Sequence, residues 1–125
     1  MNLMPIAEKL EADGVGVMAE TIFINMIPAE APTGVLLRNP LQGTEIDYEL
    51  PGFYKTTFKV ICRSATYPDG DALIQAVIAS LTVVEAQVGS MYVKHMRPKT
   101  KPVVFPLSKG NLLEFSADFS ICFTE

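Results

Sequence analysis

A single histidine, His95, and two cysteines, Cys62 and Cys122, are the side chains of this sequence best suited to nucleophilic or metal chemistry. Neither cysteine belongs to a CxxC pair, and His95 has no second histidine to share a metal with. Asp69-Gly70-Asp71 resembles the start of a calcium loop, but the regular spacing of acidic ligands and the closing glutamate are missing. A turn followed by a helix cap explains those residues better. No GxGxxG, GxxxxGK[ST], HExxH or GxSxG pattern occurs. The expectation is therefore no catalytic residue, no metal and no cofactor, with His95 a surface or interface histidine.

Charge narrows the partners further. The chain of 125 residues carries a formal net charge of −4, which argues against broad binding to nucleic acid or anionic membranes. Its one basic cluster, Arg97, Lys99 and Lys101, has no interleaved aromatics. An acidic run of Glu45, Asp47 and Glu49 offers that cluster an opposite-charge counterpart. No run approaches the roughly 20 apolar residues of a membrane span, and the N-terminus lacks a secretory pattern. Maturation in the cytosol follows, with both thiols expected to be free. Apolar residues make up 49% of the sequence, a high share for a small monomer. An oligomer that hides part of its surface would account for the excess, as would a large core.

These residues must be positioned by a chain whose length suits one domain, 1–125. A short N-terminal helix places Leu3, Ile6, Ala7 and Leu10 on one face and ends at Gly14. A strand at 21–27, apolar on both faces, reads as central or covered twice. A short strand at 35–38 follows, and then 39–52, rich in Pro and Gly, reads as a projecting loop. In 53–64 Tyr54, Thr56, Phe58, Val60 and Cys62 alternate with Lys55, Thr57, Lys59 and Arg63, the period of a half-buried strand. After a turn at 67–70, Asp71 is the expected N-cap of a helix running to about residue 88. Strands are expected at 90–97 and 103–107, with a tight turn at 108–111 inside a second projecting region, 97–111. The last strand alternates most clearly, with Leu113, Phe115, Ala117, Phe119, Ile121 and Phe123 inward. By the same parity Cys62 and Cys122 face opposite sides of a shared sheet. The order α-β-β-β-α-β-β-β describes an α+β fold, a mostly antiparallel sheet with two helices packed on one face.

The stretch from Tyr48 to Leu81 is the centre of this plan, a strand and a helix that together supply a core unit. Leu73, Ile74, Val77, Ile78 and Leu81 form the helix's core stripe. Its other side is unusual: Ala72, Ala76, Ala79 and Val83 are small or apolar where a solvated helix carries charge. That second side is expected to be covered, either by a strand of the same chain or by a neighbouring subunit.

At Tyr48-Glu-Leu-Pro-Gly-Phe-Tyr and Phe58-Lys-Val-Ile-Cys-Arg-Ser the chain resembles the tail terminator and minor capsid (tail completion) proteins of tailed bacteriophages. Pro106-Leu-Ser-Lys-Gly-Asn and the closing strand carry the likeness to the end of the chain. The resemblance implies a structural virion protein, assembled in the host cytoplasm, that forms a ring, usually a hexamer. Such a ring would cap the tail tube, end its polymerisation and present the neck surface that joins tail to head. DNA would at most pass through the lumen, and no membrane is involved. On that reading Ala72, Ala76, Ala79, Val83, Lys55, Lys59 and Arg63 contact neighbouring subunits. Glu45, Asp47, Glu49, Arg97, Lys99 and Lys101 would contact the tube or the neck. Another head–tail connector, a stopper or head-completion protein, follows the same logic; a small enzyme or binding domain built around His95 is the remaining alternative.

Overall fold

The structure, a computed structural model, describes residues 1–106 and 111–125. Apart from Asn111, the turn expected at 108–111 lies outside the described residues, as does Leu107 of the strand expected at 103–107. The elements in chain order are α1 (Met4–Ala12), β1 (Ile22–Ile24), β2 (Gly34–Arg38), β3 (Phe53–Ser64), α2 (Tyr67–Leu81), β4 (Val83–Val88), β5 (Met91–Pro98), β6 (Val103–Pro106) and β7 (Leu113–Thr124). They form an α+β fold with the expected α-β-β-β-α-β-β-β order, and β4 is one strand more. All strands join one sheet in the order β1-β2-β3-β7-β5-β4, with β6 also paired to β7. Among the described strands β1 and β2 pair in parallel and the other pairs are antiparallel.

The antiparallel pairing of β3 with β7 is the axis of the sheet, unbroken from Phe53↔Thr124 to Ser64↔Leu113. Because side chains alternate across a strand, this register decides which face each residue serves. Phe58, Val60 and Cys62 of β3 and Phe115, Ala117, Phe119, Ile121 and Phe123 of β7 are buried toward the helices. There the Phe58 and Phe119 rings stack with centroids 5.3 Å apart. Leu3 at the start of α1, Ile6, Ala7 and Leu10 of α1 and Ile74, Val77 and Leu81 of α2 close the same core. Among the described residues the opposite face of the sheet carries no helix. Cys122 lies on it, so the two buried, free cysteines do sit on opposite sides.

Three boundaries differ from the sequence reading, each for a local reason. First, α2 begins at Tyr67 with Thr66 as its N-cap, whose hydroxyl accepts from the Asp69 amide at 3.4 Å. Asp71 is therefore inside the helix, and 67–70 is its first turn. Second, the helix stops at Leu81 instead of near residue 88. Thr82 turns to extended backbone, and its hydroxyl donates to the Ile78 carbonyl at 2.6 Å. The β-branched run Thr82-Val83-Val84 then leads straight into β4, which suits such residues better than a helix does. Third, the strand expected at 21–27 is only the short edge strand β1 rather than a central one. Its second apolar side stays half-buried, with Phe23 and Ile27 close to Gly34.

Two glycines are demanded by close approach. A Cβ on Gly70 would lie 2.0 Å from the ring of buried Phe115, so the helix can approach β7 only with glycine there. Gly89 opens the two-residue β4–β5 turn at φ 58°, a conformation that side chains resist. Gly70→Ala should therefore overpack the helix–sheet contact and cost roughly 1–3 kcal/mol. A lowered urea midpoint at unchanged slope would show it; a melting temperature equal to wild type would refute the contact.

Burial also pushes the Cys62 thiol from its usual 9.0 up to about 12. Its folded-state value is raised, so the stability it contributes is complete below about pH 9 and is lost as pH climbs from 9 toward 12. The loss is at most about 1.4 kcal/mol per pH unit. Cys62→Ala should show a shallower alkaline decline in urea unfolding than wild type; equal slopes would contradict it.

Candidate assembly surfaces

The open face of the sheet is built from the outward residues of the same register that makes the core. Lys59 lies opposite Asp118, and Arg63 opposite Glu114. Lys59 Nζ is 3.9 Å from Asp118, with both side chains about half exposed, so this pair contributes little. Arg63 is different. Its Nη2 meets Glu114 Oε2 at 3.1 Å, and its Nη1 donates to the Pro28 and Ala31 carbonyls at 2.9 and 3.2 Å. The residue is buried, and its guanidinium pins the connection 25–33 over one end of the open face. The charge expected at a subunit contact is thus spent largely within the chain, whereas Lys55 and Lys59 stay exposed.

Beyond that pinned end the open face is concave. The chain leaving β2 crosses it, and together they enclose an open cleft of about 700 Å³ lined by Arg38, Leu41, Glu45, Lys55, Thr57 and Lys59. The arm 39–52 carries Glu45, Asp47 and Glu49, all exposed. It also exposes Leu41 (93%) and Tyr48 (86%), which the sequence reading passed over in favour of the carboxylates. Asp47 makes the arm's outer turn, accepting from the Glu49 amide at 2.9 Å.

The basic residues read as one cluster are divided by the fold. Arg97 pairs with Ser120 and so belongs to the open face, while Pro98 pairs with Phe119 and faces the helices. Val103 pairs with Ser116, so residues 99–102 span a gap that β7 crosses with 117 and 118 alone. The excess bulges outward, and with Gln75 and Ile78 of α2 it lines a shallow groove. Lys99 and Lys101 therefore stand beside the helix, on the other side of the sheet from Arg97.

On α2, Ala72, Ala76 and Ala79 are exposed, and no part of this chain covers them among the described residues. Val83, expected on the same helical side, is a half-buried residue of β4. Ser80 is occupied: its hydroxyl donates to Asp13 Oδ2 at 2.6 Å, and Lys9 adds an ion pair at 2.9 Å. These two contacts hold the Asp13 carboxyl below its usual range and tie α1 to α2. At the β4 edge Tyr92 donates to Glu85 Oε2 at 2.6 Å, which pushes the phenol upward from its usual value.

His95 lies on β5 opposite Cys122 and Val84, with its Nδ1 buried and unpartnered. Among the described residues no three His, Cys, Asp or Glu side chains gather as a metal site requires. No described helix is long and apolar enough to cross a membrane. What the surface does offer is two extended faces and two charged loops.

A family model for the bacteriophage tail terminator protein matches residues 9–125. The chain belongs to that family. It is a structural component of a phage tail rather than an enzyme. No curated protein matches it. Among solved structures, a chain of the "Virion of native gene transfer agent (GTA) particle" superposes with a TM-score of 0.66 at 12% identity. The match covers 98% of this chain and 95% of that one, so the fold is shared across nearly its full length.

The Arg63 anchor yields a stability prediction for this terminator-family chain. Arg63→Met keeps the aliphatic bulk but leaves Glu114 and two carbonyls without their donor. We expect a loss of about 2 kcal/mol in urea unfolding, with faster amide exchange across 25–33. Wild-type exchange in that connection would contradict the assignment.

Proposed function

We propose that this protein closes into a ring, a hexamer as the family resemblance implies, on the last ring of the tail tube. There it ends tube polymerisation and presents the neck surface that joins tail to head. The observation that carries this reading is the outer face of α2. In a family of tail proteins, a helix that contains no lysine or arginine exposes Ala72, Ala76 and Ala79 to solvent in the isolated chain. A solvated helix face carries charge, and a face of small uncharged residues admits close approach of another surface. Identical copies meeting through two unlike faces generate a ring when the rotation closes.

In this ring Ala72, Ala76, Ala79 and Val83 on one side, and Lys55, Lys59 and the Arg63 region on the other, contact neighbouring copies. The loop charges Glu45, Asp47, Glu49, Arg97, Lys99 and Lys101 stand at the rims of these faces, where a tube ring or a neck ring meets the same assembly. DNA passes through the lumen without being bound, in keeping with the acidic balance of the chain. Assembly takes place in the host cytoplasm before incorporation into the virion.

Native mass spectrometry and light scattering of the purified protein, alone and with tube protein, test this directly. A single closed oligomer, and tubes that stop lengthening once it is added, are expected. A strict monomer under both conditions, or tubes that keep growing, would overturn the reading. Ala76→Arg, an exposed change that leaves the melting temperature unchanged, should abolish the oligomer.

A further inference from the structure

The ring leaves open which surface covers α2, and the structure holds a matching one. The uncovered helix face and the uncovered sheet face lie on opposite sides of the same sheet, so one chain cannot satisfy both. They also differ in charge: α2 carries Asp69 and Asp71 and no cation, whereas the cleft floor carries Arg38, Lys55 and Lys59 with Asp118. Beside α2 stand Lys99 and Lys101 on their bulge, and beside the open-face cleft stands Glu45. The same complementarity is repeated with reversed sign. Asp71, exposed near the start of α2, is opposite in charge to Lys55 on the cleft floor. None of Glu45, Lys55, Asp71, Lys99 or Lys101 is in an ion pair within the described residues.

We propose that the α2 face of one copy, flanked by Lys99 and Lys101, seats in the open-face cleft of the next copy, flanked by Glu45. The occupant is a second copy of this chain, and the inference rests on the ring reading. Each sheet then has helices on both faces, its own on one and its neighbour's on the other. The contact is heterologous, so every copy gives one helix and receives one. Leu41, almost fully exposed at the lip of the cleft, is covered by the incoming helix. The outer part of the arm is left free for the tube or the neck.

Reciprocal charge reversal tests this pairing. Glu45→Lys and, separately, Lys99→Glu with Lys101→Glu are introduced, then combined in one chain. Association is read by sedimentation at low salt, where such contacts are least screened. The altered side chains are exposed, so melting temperatures should equal wild type in all three proteins. Each separate reversal should weaken association roughly tenfold or more, and the combination should recover most of the loss. If neither reversal weakens association, or if the combined protein assembles no better than either parent, the pairing is wrong although the ring stands. If wild type itself fails to associate even with tube protein, the ring reading fails and takes this pairing with it.

Discussion

The long antiparallel pairing of β3 with β7 is the constraint from which the rest of this structure follows. A slip of one residue would send Phe58, Val60 and Cys62 to solvent and bring Lys55, Lys59 and Arg63 into the core. The register is secured from both faces at once. On the helix side Phe58 stacks on Phe119, and on the open side Arg63 finds Glu114 directly across the ladder. The same register places β5 and β6 one after the other along the far edge of β7, and the misfit between them creates the basic bulge. Core, charge ladder and loop placement are thus consequences of a single alignment.

That alignment also gives the molecule its asymmetry. All helical cover is on one face, where α1 and α2 complete a core of aromatic and aliphatic side chains. The other face keeps charge and a concave surface, walled by the arm that leaves β2. A sheet with one bare face is common in antiparallel folds that turn it to water. Here the bare face comes together with a helix whose outer side exposes small residues and carries no cation. Two unlike, uncovered faces on one chain are what the proposed ring would join.

Much of this was legible in the sequence because it depends on local periodicity. In β3 and β7 charged or hydroxylated residues alternate with aromatic and aliphatic ones, so their span and facing could be read directly. The end of α2 was harder. Val88 follows Leu81 by two helical turns, so an apolar period continues past the true end and lengthens the apparent helix. The deciding signal was the β-branched Thr82-Val83-Val84, whose first hydroxyl caps the Ile78 carbonyl. At the other end Thr66 and Asp71 are both good caps, and Pro68 in the first turn selects Thr66. The cleft and the division of Arg97 from Lys99 and Lys101 depend on register between distant strands. No pattern within a single segment records them.

The proposed seating of one copy's α2 on the next copy's open face can be tested with a single crosslink. Ala76→Cys on the helix and Thr57→Cys on the cleft floor are placed in one chain, the ring is assembled, and mild oxidant is added. The native Cys62 and Cys122 are buried, so unaltered protein serves as the blank. A ladder of covalent oligomers that ends at the size of the closed ring and disappears on reduction is expected. An assembled ring that stays wholly monomeric on a non-reducing gel would contradict it.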